Sequence, residues 1–164
     1  MINTFPHKLN ITDMSITPAG NNLFENVNGN PLRKSQAENF HTMVSKALFI
    51  SNRDRPYIHP TTALLDTKLI SPNIIDCNKF VRLLKYLNGT RNYHLTFSIY
   101  DMIFIKWYVD DSFAVHPYFN IHIGSIMMWL TGATQSGSMK KNINTRSSTE
   151  EEVFGANDMA SNIF

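Results

Sequence analysis

Carboxylates in two short clusters are the residues of this sequence whose types and spacing could perform chemistry. Asp110 and Asp111 stand side by side in the stretch KWYVDDSFAVH, and three glutamates occupy positions 150–152 in the stretch RSSTEEEVFGAND. Carboxylate oxygens are the ligands that hard divalent cations prefer, and two carboxylates held close together can share such ions. One aspartate and one glutamate form a metal site only if the elements that carry them pack together.

The aspartates fall in a predicted strand, and the glutamates begin a predicted helix. Alternating apolar residues predict strands in NYHLTFSIY and MIFIKWYV, and two further candidates are GSIMMWLT and GATQSGSMKK. Ser147, Ser148 and Thr149, ahead of the glutamates, mark the start of this helix. Steps of four, three and four place Glu152 on one helix stripe with Ala156, Met159 and Ile163, which predicts that this stripe faces the sheet and meets Asp110. The alternative is that the glutamates only complement the helix dipole.

Three helices are predicted ahead of the strands. The first begins at Lys34, with Ser35 placed to cap it in a capping box with Glu38. The second begins at Pro60, and the third covers about 74–87 and stops at Gly89. Both long helices have an apolar face at three- and four-residue steps, formed by Ala37, Phe40, Val44, Ala47 and Leu48 in the first and by Phe80, Leu83, Leu84 and Leu87 in the third.

Composition limits the classes of protein that the chain can belong to. The 164 residues suffice for one medium domain or two small ones, and the single cysteine, Cys77, excludes an internal disulfide and a multi-cysteine zinc site. A formal net charge of +2 gives little indication of a nucleic-acid partner. The apolar runs DMIFIKWYV and IGSIMMWL are too short to span a bilayer, so we expect no membrane association and an intracellular location, cytoplasmic or nuclear.

Four segments together resemble the C-terminal part of the polyprotein of copia-type long-terminal-repeat retrotransposons. They are FHTMVSKALFISNRDRP, FVRLLKYLNGT, IKWYVDDSFAVH and NTRSSTEEEVFGANDM, and the resemblance covers roughly residues 21–158. Residues 1–33 are rich in asparagine and interrupted by prolines and glycines, which predicts an irregular segment. The resemblance implies a reverse transcriptase thumb and connection region over 34–90 and part of a ribonuclease H domain over 91–164. The fold class expected from it is α+β, a three-helix thumb/connection segment followed by an incomplete ribonuclease H-like sheet with one packed helix.

The resemblance also assigns roles to individual carboxylates. In that family the opening ribonuclease H strand carries an aromatic residue, a small residue, a catalytic aspartate and an alanine, so Asp110 takes the catalytic position and Asp111 replaces the alanine. The family's helix begins S-S-T-E-A-E, and its second glutamate ligates metal. Here Glu151 replaces the alanine, and the ligand role falls on Glu152. The string YVDD thus imitates the Y-x-D-D box of a polymerase palm through one substitution.

The function implied is that of the parent element. The resemblance predicts Asp110 and Glu152 as catalytic and metal-binding residues, Mg²⁺ or Mn²⁺ as the cofactor, and an RNA–DNA hybrid or other nucleic acid as the partner. Adjacent strand residues face opposite sides, so Asp111 either turns away from Asp110 or perturbs its pKa.

We expect the parent activities to be lost in this chain. Those activities are RNA-directed DNA synthesis and metal-dependent cleavage of RNA in hybrids. In the family the third catalytic aspartate lies on a strand after the last helix, where this sequence stops, so the chain is expected to be a truncated remnant. Its unpaired sheet edge is expected to favour self-association. The alternative is a non-catalytic nucleic-acid-binding module, in which the third helix and the segment from Lys140 to Arg146 contact phosphates.

Overall fold

The structure is a computed structural model with an α+β architecture. It describes residues 13–25, 27–97, 104–112, 121–129, 131–141 and 147–160. Within these ranges the chain forms four α-helices and one three-stranded antiparallel sheet, which confirms the predicted α+β class. The chain divides into two compact units, formed by Met1–Ser51 with Thr61–His94 and by Asn52–Pro60 with Leu95–Phe164.

The first unit is built on its long helices. These are α1 (Lys34–Arg53), α2 (His59–Asp66, which begins just before this unit), and α3 (Ile74–Gly89). The rings of Phe40 and Phe80 meet edge to face, with centroids 5.8 Å apart and planes at 73°. The predicted apolar faces of α1 and α3 are confirmed, with Ala37 and Leu48 half-buried and the other members buried: Phe40, Val44, Ala47, Phe80, Leu83, Leu84 and Leu87.

Local side-chain contacts fix where these helices begin. The Oδ1 atom of Asn73 accepts hydrogen bonds from the backbone N–H groups of Ile75 (2.8 Å) and Asp76 (3.0 Å), and Asp76 accepts one from the Asn73 N–H at 3.1 Å. This capping box satisfies donors that the first helical turn leaves unpaired. The predicted box at Ser35 is wrong, because α1 already begins at Lys34.

An N-terminal strap, residues 13–25, runs along α3. It has no regular secondary structure, and basic side chains of the helix hold it. The contacts join Lys85 Nζ to Asp13 Oδ2 (2.9 Å), Arg82 Nη2 to Thr17 Oγ1 (2.8 Å), and Lys79 Nζ to the carbonyl oxygens of Leu23 (2.8 Å) and Glu25 (2.9 Å). Three cations spaced at three-residue steps therefore face the strap along one side of α3.

The second unit contains the sheet. Its strands are β1 (Ile105–Ser112), β2 (Ile121–Trp129) and β3 (Gly132–Lys141), in the order β1-β2-β3, and each pair is antiparallel. Helix α4 (Ser148–Ala160) follows β3 along the chain and packs against β1 and β2. Among the described strands β1 therefore lies at an edge of the sheet, next to the helix that carries the glutamates.

One predicted strand differs from the structure. Residues 93–97 of the run NYHLTFSIY are irregular, and residues 98–100 of that run, together with 101–103, lie outside the described residues. Side-chain contacts replace a strand ladder here: the Thr131 hydroxyl approaches the Thr96 carbonyl at 3.5 Å, and the Phe97 ring packs on Gly132. A Cβ on residue 132 would lie 2.6 Å from that ring, so only glycine at this position allows the ring to pack there.

Candidate functional site

The two neighbouring aspartates of β1 lie on opposite faces of the sheet. Burial alternates along the strand: Trp107, Val109 and Asp111 are half-buried, whereas Tyr108 and Asp110 are exposed. This alternation is the pleat of a regular strand, in which successive side chains point to opposite sides. Asp111 thus turns away from Asp110, and its face is the one that carries the small apolar cluster of the sheet: Ile121, Ile123, Val109 and Met139.

Helix α4 packs on the face that carries Asp111. Glu151 is 1% exposed and Gly155 is buried, whereas Glu152 and Ala156 are exposed. The predicted stripe that begins at Glu152 is therefore wrong by one residue. The reason is Gly155, because a Cβ there would stand 3.0 Å from Asp111 Oδ1, so the helix approaches β1 most closely where it has no side chain.

The start of α4 agrees with the sequence. The Ser147 hydroxyl accepts a hydrogen bond from the Glu150 N–H, and the Ser147 carbonyl accepts one from the Glu151 N–H, both at 3.3 Å. Ser147 therefore caps the helix, as predicted. Glutamates in the first turn also complement the positive end of the helix dipole, so part of the acidic cluster has a structural role.

Asp111 lies in an electrostatic environment that disfavours its charge. Both carboxylate oxygens are shielded from solvent, and neither has a hydrogen-bond partner among the described residues. Burial raises the pKa of Asp111, and the negative charges of Glu151, then Asp110, then Glu152 raise it further. The environment therefore favours the protonated form of this carboxyl group.

The predicted catalytic pair occupies exposed positions. Asp110 lies opposite Gly124 on the sheet face turned away from Asp111, and Glu152 is exposed on α4. These positions do not test whether either residue binds a metal ion, so both assignments remain predictions. Among the described residues, no group of three or more His, Cys, Asp or Glu side chains is placed to hold a metal ion. The described part of the chain thus does not by itself fit the two-ion centre that the resemblance implies.

Further polar contacts connect the elements around this face. Asp158, late in α4, pairs with Lys141 at the end of β3, with 2.6 Å between Oδ2 and Nζ. On the sheet face that carries Asp110, His122 Nε2 lies 2.8 Å from the Ser138 hydroxyl. These contacts connect α4 to β3 and β2 to β3. They therefore help to hold the sheet and the helix that surround Asp110 and Asp111.

Sequence reasoning missed the two residues that bury the acidic interface. The motif gives Glu151 no role beyond that of a replacement for alanine, and it assigns none to Gly155. A glycine inside a helix, four residues after a glutamate, was the available signal, because such a glycine often marks a close approach of another element.

Comparison with known proteins gives no information on the function of this chain. No protein-family model, no curated protein and no solved structure matches the chain. None of the helices in the described ranges combines the length and the apolar character that crossing a bilayer requires.

Proposed function

We propose that this chain is a remnant of a copia-type retrotransposon polyprotein. Its second unit would derive from a ribonuclease H domain, whose ancestral reaction is metal-dependent cleavage of RNA in RNA–DNA hybrids. Asp110 and Glu152 would descend from the catalytic positions. The reverse transcriptase part would be represented by the helices of the first unit, without the polymerase centre.

One observation supports this proposal above the others. The resemblance places alanine at positions 111 and 151. Both of these acidic side chains lie at the interface between β1 and α4, where Glu151 is buried and Asp111 is half-buried with both carboxylate oxygens shielded from solvent. Small apolar residues suit such a strand–helix interface, while ligands of a metal or a substrate have to remain accessible, as Asp110 and Glu152 are. The exposure of these four positions therefore supports the alignment with the family motif.

The same interface supports the loss of hybrid cleavage. Two acids now occupy positions where the motif has alanine, so negative charge accumulates beside Asp110 and Glu152. Asp111 lies close to α4 at Gly155, and burial together with the neighbouring negative charges raises its pKa, which weakens it as a ligand of a hard cation. We therefore expect the ancestral site to be impaired by the residues that surround it.

The alternative, a non-catalytic nucleic-acid-binding module, has weaker support. Its basic helix is α3, and there Lys79, Arg82 and Lys85 contact the N-terminal strap. On β3, Lys141 pairs with Asp158 and Lys140 is exposed. Lys85 and Lys141 pair with the carboxylates of Asp13 and Asp158, which lowers the positive charge that each surface offers to an extended phosphate backbone.

Two measurements on the full chain test the proposal. The first is cleavage of a labelled RNA–DNA hybrid in Mg²⁺ or Mn²⁺, with Asp110→Asn and Glu152→Gln as motif variants and Asp111→Asn as their neighbouring control. The second is fluorescence anisotropy of the same hybrid and of a DNA duplex of equal sequence at two salt concentrations.

The expected result is no metal-dependent cleavage, together with binding of the hybrid that exceeds binding of the duplex several-fold. Cleavage that both motif variants abolish would support the ancestry and refute the loss of activity. Equal binding of hybrid and duplex, or no binding, by a folded chain would refute the ribonuclease H origin of the second unit.

A further inference from the structure

A cavity lies between the N-terminal strap and α3, within the first unit. Its volume is about 310 Å³, and its lining includes Gly20 and Asn22 from the strap with Asn78, Lys79 and Arg82 from the helix. Small-molecule sites begin at roughly 300 Å³. The cavity therefore has room for a small ligand rather than for a single ion.

Arg82 presents unused hydrogen-bond donors at this cavity. Its guanidinium group has five N–H donors, and the described residues provide one acceptor, the Thr17 hydroxyl at 2.8 Å from Nη2. The other donors of Arg82 have no partner among the described residues. The fork of a guanidinium group matches the geometry of phosphate oxygens, which accept two parallel hydrogen bonds from it.

The strap leaves space in front of this guanidinium group because residue 20 is glycine. A Cβ on Gly20 would lie 2.8 Å from Asn22 Oδ1 and 3.9 Å from Arg82 Nη1. Any larger side chain would therefore displace Asn22 and extend toward Arg82. Glycine keeps this side of the cavity open, and the backbone of the strap can approach a bound group closely.

The charges around the cavity favour an anion. Among the described residues, those that line the cavity include two cations and no carboxylate. Lys79 donates to two strap carbonyls, which leaves one of its three N–H donors. Burial lowers the pKa of Lys79, whereas the charge of Asp76 raises it, Lys68 lowers it, and Glu25 raises it. A bound anion would act in the same direction as the two carboxylates.

We propose that this cavity binds the phosphoryl group of a small ligand. Arg82 makes the principal charged contact, Lys79 the second, and Asn78 and Asn22 offer amide donors at the same cavity. The volume beyond the phosphoryl group accommodates the remainder of a small phosphorylated molecule. This site is in the first unit and does not depend on the ribonuclease H origin proposed for the second.

The test is isothermal titration calorimetry of the full chain with inorganic phosphate, adenosine 5′-monophosphate and unphosphorylated adenosine. Arg82→Gln removes the guanidinium group, while Thr17→Ala removes its strap contact and keeps the guanidinium group. Lys46→Gln is the matched charge control, because Lys46 is exposed on α1 and does not line the cavity. Circular dichroism verifies that each variant is folded.

We expect saturable binding of both phosphorylated probes and not of adenosine, weakened at least tenfold by Arg82→Gln and less than twofold by Lys46→Gln. Thr17→Ala should retain binding. In the unmodified chain, phosphate should also shift the NMR signals of the Arg82 Nε–H and the Gly20 amide. If the nucleotide binds more tightly than inorganic phosphate, the ligand is nucleotide-like. If the two bind equally, the site recognises the phosphate group alone. Adenosine binding as tightly as its phosphate, or phosphate binding that Arg82→Gln leaves unchanged, would overturn the proposal.

Discussion

Replacing Asp111 with asparagine should stabilise the protein. The carboxylate of Asp111 is shielded from solvent and lacks a hydrogen-bond partner among the described residues. Three neighbouring carboxylates add repulsion to this loss of hydration, with Glu151 contributing most. Asparagine has the same shape and no charge, so the variant Asp111→Asn removes the repulsion and the charge-dependent part of the hydration penalty without leaving a cavity.

The expected gain is about 1–2 kcal/mol in the free energy of unfolding at neutral pH. A buried polar group without a partner costs about 1–3 kcal/mol, and the lower part of that range applies because the residue as a whole is only half-buried. The asparagine amide also lacks partners, which removes part of the gain. The charge-dependent share of the penalty is the part that the substitution relieves.

The gain should depend on pH in one direction. The folded-state pKa of Asp111 is raised above its ordinary value of 3.8, so the folded protein holds a proton that the unfolded chain has already lost. The free energy of unfolding of the unmodified protein therefore falls as the pH rises from that ordinary value through the raised one. Below the ordinary value the penalty is absent, and Asp111→Asn should then give little advantage.

Urea denaturation followed by circular dichroism at pH 3.5 and pH 7 measures both effects. Asp110→Asn is the matched control, since Asp110 is the exposed neighbour on the same strand and surface substitutions change stability by less than about 0.5 kcal/mol. A destabilised Asp111→Asn variant, or equal effects of the two substitutions, would show that Asp111 has a stabilising partner. The buried acidic interface would then have to be discarded.

Three further outcomes follow from particular contacts. Gly155→Val should lower the free energy of unfolding, measured in urea, by about 1–3 kcal/mol, because the valine side chain would enter the space of the Asp111 carboxylate. Ala156→Val, on the exposed side of α4, should cost much less, and equal losses of stability in the two variants would contradict the close approach of α4 to β1. Asn73→Ala removes the α3 capping box and should cost about 1 kcal/mol, and an unchanged urea midpoint would exclude the cap as a stabilising feature. Burial, followed by the charge of Asp76, raises the pKa of Cys77, so iodoacetamide should modify the folded chain more slowly than the urea-unfolded chain at pH 8; equal rates would contradict this environment.

Periodicity in the sequence was sufficient to predict the helix faces of the first unit. Phe40 and Val44 in α1, and Phe80 and Leu84 in α3, repeat at helical steps and are buried, because an apolar stripe of that width has to be covered. The N-terminal strap has no such period. It is held through the backbone carbonyls of Leu23 and Glu25 as well as side chains, and every residue has a carbonyl, so no sequence pattern indicates these contacts.

The rotation of α4 could not be predicted from the spacing of its residues. Its stripes are separated by about 100° per residue, and Glu151 and Glu152 have the same side chain, so polarity does not select between them. Which glutamate faces the sheet depends on where the helix lies closest to β1, and that point is Gly155. Predicting this point requires knowledge of a contact between elements that are distant in sequence.

The repulsion between the two buried acids can be measured directly with a double-mutant cycle. Asp111→Asn and Glu151→Gln, alone and together, should show a coupling of about 1 kcal/mol at pH 7 with the sign of repulsion, because either substitution relieves the interaction and the second relieves little more. The parallel cycle with Glu152→Gln should give a smaller coupling, since Glu152 is exposed and contributes least to the raised pKa of Asp111. At pH 3.5, below the ordinary value of 3.8 for the pKa of Asp111, both couplings should be strongly reduced, because protonated Asp111 carries no charge to be repelled. A larger coupling to Glu152 than to Glu151 would mean that α4 turns Glu152 toward β1. The acidic positions at the interface would then not be those of the motif's alanines.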